Sequence, residues 1–215
     1  TSEYLFSYDE KKLVQDIVVS DEIPVPFKER EDRLLIHGGG WGMGTYQSKI
    51  PELIDHDIYL GIVAYNVSEI EENSNNKYYA LDENWSPWIK NSKGLYEFPP
   101  FAEVKYNETP KFKFKEEYPG LYDVTRNVKA VISKPGGSTL VDSLSAATPI
   151  ITLEPFGEHE QKNADLWIEL GFAISYEEFK KSGFKMDILE ELHNNLCKAR
   201  GNRNLYVDEL CKKLK

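Results

Sequence analysis

Two glycine-rich strings each follow a short apolar run and precede a segment with helical spacing. That arrangement restricts the fold more than any other feature of the chain. Arg33 to His37 (RLLIH) reads as a buried strand, Gly38 to Gly44 (GGGWGMG) as a loop, and Tyr46 to Ile54 as a helix. Ala130 to Ser133 (AVIS) reads as a second buried strand and Lys134 to Thr139 (KPGGST) as a tight loop. A helix follows to about Ala147, with Ser138 or Thr139 placed to cap it.

The rest of the chain continues the alternation. Ile58 to Tyr65, Lys77 to Leu81, Pro149 to Leu153 and Phe172 to Ser175 are further strand candidates. Leu121 to Asn127 and Asn163 to Leu170 read as helices, the second stopped by Gly171, with Phe156 to Gln161 as a polar loop before it. The expected class is α/β, a Rossmann-like parallel sheet with helices on both faces. Residues 1–30 read as a linker or the remnant of a preceding domain, because Ile23 to Phe27 is an extended, proline-punctuated stretch. Residues 31–215 form one domain, interrupted by an irregular insertion around 85–120. Within it, 103–120 is compatible with a hairpin or an ordered insertion. The sequence opens on Thr1 rather than Met, so a preceding segment is expected.

Charge narrows the function. A net charge of -10 argues against non-specific nucleic-acid binding, which needs a basic face. It leaves room for a local anion pocket built from backbone N–H groups. No apolar run approaches the roughly 20 residues that span a bilayer. The two cysteines, Cys197 and Cys211, read as reduced thiols, which fits a cytoplasmic chain. His37, His56, His159 and His193 are scattered, so no metal site is expected.

Both glycine loops sit at strand-to-helix junctions, which a parallel sheet places at its carboxyl edge, where ligands bind. Glycine lets the backbone approach a ligand closely, and the helix N-terminus behind it favours negative charge. Together they describe a diphosphate cradle; each loop alone is as readily a structural turn. Asp142 lies one helical turn after Ser138 on the same face. A carboxylate there repels phosphate but can accept hydrogen bonds from paired sugar hydroxyls, as in a ribose. On spacing alone a solvated helix carboxylate is commoner. The third segment is Gly157-Glu158-His159-Glu160-Gln161-Lys162-Asn163, whose Glu160, Gln161 and Asn163 could fork hydrogen bonds onto a hexose. A polar loop capping the next helix is the plainer alternative.

These strings resemble a known family. GGGWGMG resembles the GGGxGMG loop of diacylglycerol glycosyltransferases, including the monogalactosyldiacylglycerol synthases. ISKPGGSTLVDSL resembles their second loop and is similar to the donor site of the lipid II-forming peptidoglycan glycosyltransferases and of UDP-glycosyltransferases. GEHEQKNA resembles their G-x-E-x-x-N sugar segment, with Glu160 and Asn163 in register. The likeness runs from about Arg33 to Ile174 and implies the C-terminal, donor-binding half of a GT-B enzyme. It implies that Gly136, Gly137, Ser138 and Thr139 face a diphosphate and that Asp142 holds ribose hydroxyls. By the same likeness, Gly40, Trp41, Gly42 and Gly44 face the interdomain cleft. Glu158, His159, Glu160, Gln161 and Asn163 then border the transferred sugar.

The implied activity is metal-independent, inverting transfer from a UDP-hexose, with no cofactor. The acceptor would be held by a missing N-terminal domain or partner chain, and peripheral membrane contact is compatible with lipid acceptors. The chain departs from the pattern at His37, where relatives often carry a small residue, and over 66–120, the region that should help hold the base. His37, at a strand end on the ligand edge, is the internal candidate for a catalytic base titrating near neutrality; a buried, backbone-bonded histidine is about as common there.

Two other readings compete with transfer. His37-Gly38-Gly39-Gly40-Trp41 is also the kind of string that forms an oxyanion hole in α/β-hydrolase esterases, which would need Ser138 with Asp187 and His193. A non-catalytic nucleotide-sugar-binding subunit is the other. Asp55-His56-Asp57 spells the Asp-x-Asp metal motif of a different glycosyltransferase fold, but lies between a helix and a strand, where turn chemistry explains it.

Overall fold

The computed structural model describes residues 5–39, 42, 44–66, 69–72 and 75–214. A seven-stranded sheet forms the centre, built from β3 (Glu31–Ile36), β4 (Leu60–Val63), β5 (Lys77–Leu81), β6 (Phe101–Val104), β7 (Val128–Ser133), β8 (Ile150–Thr152) and β9 (Ala173–Ser175). The order across it is β6-β5-β4-β3-β7-β8-β9. All pairings are parallel except β5 with β6. The antiparallel β6 is a correction: part of the stretch expected to be irregular is an edge strand, and Lys113 bridges back to Phe101.

The strands read as unbroken apolar runs because both faces are covered. Alternate side chains go to opposite faces. Leu34, Ile36, Ile62 and Ile132 join one cluster with Leu53 of α1 (Tyr46–Asp55), Phe179 of α5 (Tyr176–Lys181) and Leu189 of α6 (Met186–Ala199). Leu35, Val63 and Val131 face the other way, towards Leu121 and Val124 of α2 (Leu121–Asn127). A third cluster joins Leu140 of α3 (Gly137–Ala146) to Trp167 of α4 (Glu158–Glu169).

Residues 5–30 do not trail away from the domain. A small hairpin of β1 (Phe6–Ser7) and β2 (Lys12–Leu13) packs Phe6 edge-on against Trp167, ring centroids 5.0 Å apart. Asp16 pairs with Arg203 at 3.1 Å, ahead of α7 (Tyr206–Lys213). Arg30 is buried at the amino edge, donating to Val25 O, Val128 O, Thr148 Oγ1 and Ala146 O. The last of these ties down the end of α3, where Ala147 turns left-handed at φ 51°. No helix among the described residues is long and apolar enough to cross a membrane.

Candidate functional site

The strand order contains the doubly wound progression that reverses direction between β3 and β7. The chain leaves β3 into one glycine loop and β7 into the other, so the two loops stand side by side at that switch point. Their closeness is measurable. A Cβ on Gly44, whose φ is 115°, would lie 3.3 Å from the Lys134 stem, and one on Gly42, at φ 62°, would enter the Tyr65 ring at 2.8 Å. The Tyr65 hydroxyl donates to Gly39 O and closes the turn from outside. Gly40 and Trp41 lie outside the described residues.

The second loop differs from expectation in its cap. The helix α3 starts at Gly137 and its cap residue is Gly136, with no side chain bonded to the helix end. Ser138 and Thr139 therefore lie in the first turn rather than before it. The first intrahelical acceptor is Gly136 O, reached by Leu140 N–H at 3.1 Å. The N–H groups of Gly137, Ser138 and Thr139 consequently have no helical partner, and Gly137 and Ser138 are exposed. One turn on, Asp142 is half-buried with no hydrogen bond to its carboxylate among the described residues. Burial pushes its pKa up to about 7.

The third segment is helical from Glu158, not a loop. Gly157, at φ 101°, turns the chain directly into α4. Glu160 Oε2 reaches back to accept Phe156 N–H at 2.5 Å, tying the first turn of α4 to the chain that enters it. Its Oε1 lies 3.6 Å from Lys134 Nζ, both side chains being nearly enclosed. Asn163 donates to Pro135 O at 2.8 Å and accepts from the Tyr8 hydroxyl at 2.6 Å. Both residues expected on the sugar are thus turned inward, bracing the second loop. Glu158, His159 and Gln161 stay on the exposed face; Glu158 pairs with Lys162 and Gln161 donates to Asp165.

Sequence reasoning missed Lys134. Its stem crosses Gly44, its ammonium approaches Glu160, and it lies 5.5 Å over the Phe156 ring, so it touches all three motifs. The available signal was position, since it is the first residue beyond β7. Glu154 was missed too; it accepts from Thr45 and pairs with Lys49 at 3.2 Å, joining the start of α1 to the end of β8.

His37 corrects another expectation. It is buried, its Nδ1 accepts Gly39 N–H at 3.0 Å, and Ser133 Oγ lies 3.4 Å away. Desolvation, helped by the Lys134 charge, lowers its pKa to about 4. It is neutral at physiological pH and a weak base. The hydrolase triad does not assemble: His193 Nδ1 is bonded to Ala147 O at 2.7 Å, at the far end of α3 from Ser138, about 13 Å of helix away. Asp187 is exposed on α6. Asp55 ends α1, and His56 and Asp57 form the turn after it at the amino edge, where the His56 ring packs on Phe184.

The fold is shared with solved glycosyltransferases. Over 94% of this chain, MurG of Acinetobacter baumannii superposes with a TM-score of 0.57 at 15% identity, this chain covering 56% of it. VinC in complex with dTDP gives 0.53 at 12% identity, over 93% of this chain and 44% of that one. SnogD from Streptomyces nogalater gives 0.51 at 13%, over 94% and 48%. The chain has a GT-B domain fold. It spans about half the length of these GT-B proteins. No family model and no curated protein matches it. At such identities what the GT-B likeness conveys is architecture, so activity has to be argued from the site.

Proposed function

We propose that this chain is the donor half of a glycosyltransferase, binding a nucleoside diphosphate sugar, a UDP-hexose, across the switch point. One observation carries the reading. Three unpaired N–H groups at the start of α3 stand one turn before a carboxylate that has no hydrogen bond among the described residues. The N–H groups and the helix dipole suit a diphosphate. Asp142 suits a vicinal diol, whose two hydroxyls would replace the solvation it has lost. Lys134 adds the charge that offsets a developing phosphate anion as the glycosidic bond to the leaving group breaks. The exposed first turn of α4, with Glu158, His159 and Gln161, then borders the sugar, while Glu160 and Asn163 hold the loop in place.

Direct displacement at the anomeric carbon needs a base within reach of the acceptor hydroxyl. His37, enclosed and neutral, is badly suited to it, so the base belongs to a separate acceptor domain or chain. That weakness also favours the second reading, a subunit that binds donor and leaves catalysis to a partner. Both predict metal-independent binding of UDP or a related nucleotide. Calorimetry in EDTA should give a saturable isotherm; binding that requires added manganese would contradict it. Incubating the chain with donor and acceptors, alone and with an acceptor domain, separates the readings. Transfer only in the second case supports the donor half, and transfer by the chain alone contradicts it.

A further inference from the structure

The amino-terminal hairpin reaches the second glycine loop through one side chain. Tyr8 opens the turn between β1 and β2. The hairpin is seated on α4 at several points: Phe6 meets Trp167, Leu13 is buried in the same cluster, and Lys11 pairs with Glu169 at 2.6 Å. That seating brings the Tyr8 hydroxyl to 2.6 Å from Asn163 Oδ1.

The direction of each hydrogen bond follows from chemistry. Pro135 O can only accept, so the atom of Asn163 that lies 2.8 Å from it is the amide nitrogen. The amide oxygen is then turned to Tyr8, and an oxygen takes a hydrogen bond only from a donor. Tyr8 therefore donates. Desolvation raises the pKa of its hydroxyl, against the opposing Lys162 charge, so the proton it donates is kept at physiological pH. Asn163 is buried, so losing either partner leaves a polar group enclosed.

The peptide at the end of this relay immediately precedes the open helix end. It joins Pro135 to Gly136: its carbonyl is held by Asn163, and its N–H donates to Lys134 O at 2.8 Å. The N–H groups of residues 137–139, which follow, have no helical partner. The two glycines cannot fix their direction by packing. A Cβ on Gly137 would meet nothing within 4 Å, and one on Gly136 nothing nearer than 3.8 Å. What grips the preceding peptide therefore sets the aim of the helix end.

We propose that Tyr8 is a positioning residue for nucleotide binding: through Asn163 its hydroxyl holds the Pro135–Gly136 peptide so that the N–H groups of residues 137–139 converge on a diphosphate. This deepens the donor-site reading and rests on it. The hairpin is then part of the binding apparatus, although it lies outside the sheet and carries no residue of the glycine loops.

The test is Tyr8→Phe, which deletes the hydroxyl and keeps the ring. In the free chain, amide hydrogen exchange at Gly136 and Leu140 should quicken about fivefold, with Val131 and Ile132 in β7 unchanged. In calorimetry, UDP affinity should fall about fivefold while uridine affinity is unchanged. Tyr8→Phe added to Asn163→Ala should bring no further loss of UDP affinity, because both act through one relay. If the parent binds UDP and Tyr8→Phe binds it equally well, the Tyr8 proposal falls and the donor reading stands. Equal losses for UDP and uridine, or additive losses in the double variant, also overturn the role of Tyr8. If the parent binds no UDP, the donor reading falls and takes this role with it.

Discussion

The two ends of the sheet handle buried polar groups in opposite ways. At the amino edge, Arg30 satisfies itself on Val25 O, Val128 O, Thr148 Oγ1 and Ala146 O, with no carboxylate paired to it among the described residues. Desolvation lowers its pKa only to about 10, so it stays charged. At the carboxyl edge, three N–H groups of α3 are open among the described residues, Asp142 has lost solvent without gaining a hydrogen bond from them, and Lys134 reaches only 3.6 Å from its acid. One end of α3 is closed by protein and the other is left for something else. A fold gains stability from the first arrangement and binding capacity from the second.

The largest effect should come from the closed end. Arg30→Met removes donors from Ala146 O and Val128 O in a dry site and should cost on the order of 3 kcal/mol. Chemical denaturation measures it, and nucleotide affinity in the folded fraction should not move. A mild variant would mean that the amino edge is less closed than its hydrogen bonds imply.

Asp142 should give the next effect, with opposite signs for stability and binding. Its folded pKa of about 7 lies above the usual carboxylate value, so the folded state holds a proton that the unfolded state has lost. Stability contributed by the protonated form is therefore full at low pH and is lost as pH rises towards 7. Asp142→Asn should remove that loss, raising stability above pH 7 by about 2 kcal/mol once the shift is discounted for the carboxylate's partial exposure. Nucleotide affinity should fall by about 1.5–3 kcal/mol, because a charged acceptor is gone. Melting and titration on the same sample test both. A variant that is more stable yet binds equally well would return Asp142 to ordinary surface chemistry.

Lys134 comes third. Removing it alone would leave Glu160 buried and uncompensated, so the informative variant is Lys134→Met with Glu160→Gln. Diphosphate affinity should fall roughly tenfold while affinity for the nucleoside is unchanged. Equal losses for both would indicate a collapsed loop rather than a missing charge.

The smallest effect should be at His37. With a pKa of about 4 it does not titrate near neutrality. His37→Gln should leave nucleotide affinity within about twofold and the pH profile of binding above pH 6 unaltered. An NMR titration giving a midpoint between pH 6 and 7 would contradict the enclosed histidine.

Much of this was legible in the sequence. Strands buried on both faces announce themselves as apolar runs, and the glycine loops announce strand-to-helix junctions. The edge strand β6 did not, because its pairing with β5 is a tertiary event among prolines. The inward turn of Glu160 and Asn163 was readable in principle. Glu160, Asn163, Ala164 and Trp167 share one helical face, and all are buried, but that spacing counts only once the helix is begun at Glu158. Arg30 was hidden in the charge run Lys28 to Arg33, where nothing local distinguishes the buried member. Lys134 acquires meaning only when β3 and β7 become neighbours and Gly44 comes to rest on its stem.

The most direct test of the central claim, that the carboxyl edge holds a nucleoside diphosphate, is amide chemical-shift mapping of the chain titrated with UDP and with dTDP in EDTA. The account predicts saturable shifts at Gly137, Ser138, Thr139 and Asp142, with the amides around Arg30, Val128 and Ala147 at the other end unmoved. Saturable binding that leaves residues 137–142 unshifted, or no binding of either nucleotide, would contradict it.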